Sequence, residues 1–261
     1  MSSVPKGFPI TGPLNREDLW RFPAFQVWLS TLQRSLERQR QYSHEFYKDP
    51  YVLRKIVVQA VDYFKGGRLG FVKLKAEVSN ASGESLPGSV FLRGGSVGML
   101  LVLQPDDVPP SAEEEKRAIL TIQPRIPAGS LAFSEIPAGM LDDSGSFVGG
   151  AAKEIQEETG LIISHHELVD MTSLAAQSIA RSADSEILQE AVYPSPGGCD
   201  EFIPLFLCQK RMPRREIDAM QGRLTGLREK GGEDHVEGSV DEGALEGRIA
   251  GWKVPCRLGT V

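Results

Sequence analysis

Glu154, Glu157 and Glu158 fall within five positions of the segment GGAAKEIQEETGL (149–161), with Lys153 the cation beside them. On a helix this spacing puts the three carboxylates on one face and Val148, Ala152 and Ile155 on another. Like charges three and four residues apart cost about 0.2–0.5 kcal/mol per pair on an exposed helix, and more where partly buried. A divalent cation removes that cost. Mg2+ takes hard oxygen ligands, keeps several waters and is commonly shared with substrate phosphates. The alternative is a solvated acidic face, which is what charge runs usually are. The flanks favour the metal reading, because PAGM precedes the segment and Gly160 stands where a helix C-cap belongs.

Read outward from Gly139 to Leu161, the segment resembles the Nudix box, G-x5-E-x7-R-E-U-x-E-E-x-G-U, with U a bulky apolar residue. Gly139, Glu154, Ile155, Glu157, Glu158, Gly160 and Leu161 match at the required spacings. Gly145 stands where the box has its first Glu, and Lys153 where it has Arg. Lys153 keeps the charge but lacks the guanidinium fork that orients a carboxylate through two hydrogen bonds. The stretches GRLGFVKLKAEV, PGSVFLRGGSVGMLLVL, FSEIPAGMLDD and YPSPGGCDE extend the likeness to the ADP-sugar pyrophosphatase branch, of the plant and fungal ADP-glucose/ADP-ribose type, from about Leu53 to Glu229.

That resemblance implies an α/β Nudix fold, a mixed β-sheet between helices, with a small N-terminal β-domain and an N-terminal helix. It implies metal-dependent cleavage of a nucleoside diphosphate sugar to AMP and a sugar phosphate, with Mg2+ as the cation and Mn2+ as its substitute. Glu154, Glu157 and Glu158 become the metal ligands, completed by the backbone carbonyl of Ala138. Arg125 in IQPRIP becomes the anchor for the substrate phosphates, and Glu135 in SEIPAG a metal or substrate ligand. Glutamates already on metal are poor bases, and a later loop can supply the carboxylate that activates water. Pro194, Pro196, Gly197 and Gly198 bend such a loop sharply and deliver Asp200 and Glu201. Relatives take their base from the matching loop, which makes Glu201 the general base, with Pro196 and Asp200 beside the substrate. A homodimer is implied as well. The departures at Gly145 and Lys153 keep a second reading open, a catalytically weak module of the same fold that binds a nucleotide or a partner.

Other polar residues read as ordinary. His165 and His166 are adjacent, so they diverge and read as surface. Cys199 has no histidine at a fixed spacing to make it a nucleophile. GGSVG (94–98) lacks the Lys and Ser/Thr of a phosphate loop. Trp20, Phe25 and Trp28 read as packing.

These side chains need a scaffold. Residues 1–14, rich in Pro and Gly, are expected to be loose, and 15–48 carry Phe25, Leu29, Leu32 and Leu36 at helical spacing. RKIVVQAVDYF and GRLGFVKLKAEVS, joined by KGGR, predict a hairpin. SVFLRGGSVGMLLVLQP, AILTIQPRI and EFIPLFLCQK read as strands, as does LVDMTSLAA. Residues 105–117 and 127–146 read as loop, and RREIDAMQGRL as a short helix. The expected organisation is a partly helical extension over 1–50, the small β-domain over 51–92, the catalytic domain over 93–231, and a divergent, disordered stretch over 232–261.

A net charge of −6 argues against a nonspecific grip on nucleic acid, which needs a cationic surplus. No apolar run reaches membrane-spanning length. Three cysteines without metal spacing fit a reducing compartment, so a cytoplasmic protein is expected.

Overall fold

The computed structural model describes residues 8–140, 149, 160–178, 186–220, 224–225 and 247–253. The chain forms two units, one of residues 1–96 with 175–203, the other of 97–174 with 204–261. Together they give a mixed α/β architecture of two sheets and few helices.

The first unit opens with β1 (Ile10–Thr11), α1 (Arg16–Arg21) and α2 (Pro23–Arg38). Asn15 caps α1 by accepting the Asp18 N–H at 2.8 Å. The expected continuous helix over 15–48 is shorter and broken. Pro23 disfavours helical geometry at Phe22, so α1 stops there and α2 starts with proline in its first turn. The chain beyond Arg38 runs in turns. Nor is the start loose from residue 8 on: β1 pairs with β2 in parallel, and Phe8 and Leu14 are buried in the core.

β2 (Val52–Tyr63) and β3 (Leu69–Ser79) form the expected antiparallel hairpin. β3 buries every second residue, Val72, Leu74, Ala76 and Val78. In β2 the buried set shifts from Leu53 to Ile56 and Val58, because a bulge between Leu53 and Lys55 inserts a residue and flips the parity. β4 (Ser85–Leu86) and β5 (Ser89–Leu92) both pair with β3. The face of α2 carrying Phe25 and Leu29 packs with these strands in one core.

The second unit has its own core, centred on Met99, Leu101, Leu103, Ile119 and Phe206. Its strands are β6 (Ser96–Pro105), β7 (Arg117–Arg125), β8 (Ser130–Glu135), β9 (Ala138–Met140), β10 (Leu168–Asp170), β11 (Leu205–Met212), β12 (Leu224–Thr225) and β13 (Gly247–Lys253). The order is β10-β11-β6-β7-β13-β12, with β8 on β7 and β9 on β6. Central β6 is buried along most of its length, as a strand covered on both faces must be.

Three expectations need correction here. The stretch expected to be loop contains β8 and β9. LVDMTSLAA is a strand only at its start, since Met171–Ser178 is a helix, α3. Within the stretch expected to be disordered, β13 pairs antiparallel with β7, Ile249 opposite Thr121. The helix read from RREIDAM is present as α4, Arg214–Met220.

Candidate active site

In the second unit, β7 and β8 bring Arg125 and Glu135 together. Their ladder pairs Thr121 with Glu135 and then shifts register between Gln123 and Arg125. Pro124 occupies the irregular step, where no ladder N–H is required of it. The shift puts three donors on one oxygen. Glu135 Oε1 accepts from Gln123 Nε2 at 2.8 Å and Arg125 Nε at 2.7 Å, and lies 2.7 Å from Arg125 Nη2. Arg125 keeps 39% of its side chain exposed against 19% for Glu135, so the arginine is the more accessible partner. Two residues on, the Pro137 carbonyl accepts the Met99 N–H at 2.8 Å, which pins the turn leading into β9 and half-buried Ala138.

In the first unit, residues 194–201 form the expected sharp bend. Gly198 N and Cys199 N both donate to the Ser195 carbonyl. Pro196 is exposed at the tip. The bend is laced to the segment after β5: Phe91 N donates to Gly198 O at 2.8 Å, Asp200 N to Phe91 O at 3.3 Å, and Ser96 N to Phe202 O at 3.0 Å. Asp200 Oδ1 accepts the backbone N–H groups of Arg93 at 2.8 Å and Gly94 at 3.2 Å. Gly94 holds φ at +82°, in the left-handed region, and consecutive N–H groups can then converge on one anion. Burial pushes the Asp200 carboxyl above its ordinary value, and these donors offset part of the rise.

Glu201 faces the same segment. Its Oε1 lies 2.6 Å from Arg93 Nη1 and accepts the Ser96 hydroxyl at 3.1 Å, while Arg93 Nη2 donates to Ser96 Oγ at 2.7 Å. Sequence reading missed Arg93 and Ser96. Their signal was a charged side chain and a hydroxyl at the head of an otherwise apolar strand, in FLRGGSVGM.

Glu154, Glu157 and Glu158 lie outside the described residues. Gly160, placed by sequence as a helix C-cap, has φ of 75°. Among the described residues no group of three His, Cys, Asp or Glu side chains is positioned to hold a metal. The chemistry of the three-glutamate donor set still fits a hard divalent cation. His165 and His166 are exposed in a 3-10 turn. A cavity of about 670 Å3 in the first unit is lined by Trp28, Leu32, Tyr51, Val90, Tyr193 and Phe202, among others. No described Lys or Arg lines it, so it offers a diphosphate no counter-charge.

No protein-family model matches the chain. Over 181 residues, 69% of this chain, it is 39% identical to Nudix hydrolase 14, chloroplastic, of Arabidopsis thaliana, and it spans 53% of that relative's length. This likeness supports the Nudix reading of the box. A solved structure described as an ADP compounds hydrolase aligns with a TM-score of 0.41 at 14% identity, covering 77% of this chain and 80% of that one. Among the described residues no helix is long and apolar enough to cross a membrane.

Proposed function

We propose that the chain is a Nudix hydrolase that cleaves the pyrophosphate bond of an ADP-sugar, ADP-ribose or ADP-glucose, to AMP and a sugar phosphate. The observation carrying this reading is the carboxylate trio Glu154, Glu157 and Glu158 at box spacing, in a chain 39% identical to a Nudix hydrolase over 181 residues.

Water oxygen attacks one phosphorus of the diphosphate, the bridging oxygen leaves with the other phosphate, and the water proton passes to a carboxylate. Glu201 is the base we assign, on a loop bent by Pro196 with Asp200 as its backbone clasp. Arg125 binds the phosphates, oriented by Glu135. The cation, Mg2+ or Mn2+, would be held by Glu154, Glu157, Glu158 and the Ala138 carbonyl, and would supply charge neutralisation on the diphosphate. A homodimer is part of the proposal, as is a reducing compartment, in keeping with the free thiols of Cys199 and Cys208. Gly145 and Lys153 favour the second reading, a weakly catalytic nucleotide-binding module.

The test is AMP release from ADP-ribose and ADP-glucose with Mg2+, with EDTA, and in Glu158→Gln. Metal-dependent release lost in the variant supports the enzyme. Saturable ADP-sugar binding without AMP supports the module. Neither turnover nor binding removes both.

A further inference from the structure

The geometry points to Arg93 as a positioning residue that sets the orientation of the Glu201 carboxylate, an inference that rests on the proposed function and on Glu201 as its base. A glutamate on a bent loop has three side-chain torsions to settle. Ordering such a side chain costs rotamer entropy, and a misplacement of about 1 Å can cost on the order of 100-fold in rate.

The first unit settles the backbone and the side chain by separate means. The backbone of 198–202 is held by main-chain bonds to Phe91 and Ser96 and by Asp200 gripping the N–H groups of residues 93 and 94. None of these uses the Arg93 side chain. The Glu201 carboxylate is held by that side chain and by Ser96. Arg93 Nη1 and Ser96 Oγ both engage Oε1, at 2.6 and 3.1 Å, and the 2.7 Å bond from Arg93 Nη2 to Ser96 Oγ closes the triangle. The fork is itself half sunk, with 28% of the Arg93 side chain exposed against 17% for Glu201. Arg93 Nε is buried without a hydrogen-bond partner among the described residues, so the fork is oriented at its Nη ends. With its bonds to described residues gathered on Oε1, Glu201 leaves Oε2 to accept a proton from water.

A lysine would reproduce the charge but not the two-pronged reach to Glu201 and Ser96. Because the main-chain lacing does not involve the guanidinium, its removal should misorient Glu201 while the fold persists.

The experiment is steady-state AMP release by the full chain and by Arg93→Ala, Arg93→Lys and Ser96→Ala, with thermal melts of each. Expected for Arg93→Ala is a kcat lower by about 10- to 100-fold, a KM within about threefold and a cooperative melt. Arg93→Lys should recover part of the loss and Ser96→Ala lose less. Added guanidinium ion should raise the rate of Arg93→Ala but not of Glu201→Gln. An unchanged kcat in Arg93→Ala, a loss carried wholly by KM, or a loss without guanidinium rescue overturns the inference while leaving the proposed function standing. An inactive parent chain removes the proposed function and this inference with it.

Discussion

Arg125 directs both Nε and Nη2 at a single carboxylate oxygen, Glu135 Oε1, each at 2.7 Å. The pair is a fork closed on one point, and Gln123 supplies a third donor to the same oxygen. Such an arrangement fixes the guanidinium plane before any phosphate arrives. Charge-assisted hydrogen bonds contribute about 1.5–3 kcal/mol. Arg125→Ala should therefore raise KM for an ADP-sugar by about 10- to 100-fold, with a smaller effect on kcat. Arg125→Lys should fall between. Initial-rate kinetics over a substrate series measures this, and an unchanged KM would show that Arg125 does not touch the phosphates.

Gly94 makes a separate test of the clasp on Asp200. Its φ of +82° belongs to the left-handed region, and an added Cβ would sit 3.4 Å from Ala24 Cβ. Space is adequate, so strain decides. The left-handed conformation costs a residue with a Cβ about 1–2 kcal/mol. Gly94→Ala should lose about that much stability in urea unfolding, and should lower kcat if the clasp fails to aim Glu201. Stability equal to the parent chain would mean that the backbone relaxes out of this conformation freely.

Much of the scaffold was readable because its signals are local. The β2–β3 hairpin announces itself by alternation and a Gly-Gly turn, and α2 by its apolar repeat. β8 was missed for a physical reason: Leu131 and Phe133 are exposed, so SLAFSE shows no inward alternation, and the strand exists by pairing with β7. β13 escaped similarly, since its glycines weaken any intrinsic strand preference and pairing with β7 supplies the partner. For the site, Arg125, Glu135, Asp200 and Glu201 were singled out by type and motif. Their partners were not, because Arg93 meets Glu201 across more than a hundred residues of chain, a closure that no local pattern encodes.

Gln39 joins the end of α2 to the start of β2. It is 4% exposed, and its amide Nε2 donates to Leu36 O and Tyr51 O, both at 3.0 Å, while Oε1 accepts Tyr51 N at 2.7 Å. Gln39→Ala would strand these groups, at a cost of about 1–3 kcal/mol. Gln39→Glu should be at least as damaging, because a carboxylate can accept from Tyr51 N but donates to neither carbonyl. Denaturant melts check both, and a glutamate variant as stable as the parent would refute the assignment of the amide.

Glu167 gives stability a pH dependence whose sign follows from its partners. Lys210 Nζ donates to Oε1 at 2.8 Å, and the Ser164 N–H to Oε2 at 2.9 Å. The lysine first and the backbone donor second hold the carboxyl below its ordinary 4.5. A carboxyl lowered in the native state contributes stability that is complete above the unfolded value and lost as pH falls through the native one. Glutamine at this position can still cap the turn at Ser164, so Glu167→Gln removes the charge and the Lys210 hydrogen bond while sparing the cap. With the pair partly exposed and screened, the variant should be about 0.5–1 kcal/mol less stable at pH 7. That gap should narrow as pH falls through the lowered titration of Glu167, and shrink in high salt. Urea melts of the two proteins at several pH values give the comparison, and a gap that is constant with pH would show that the ion pair is not its source.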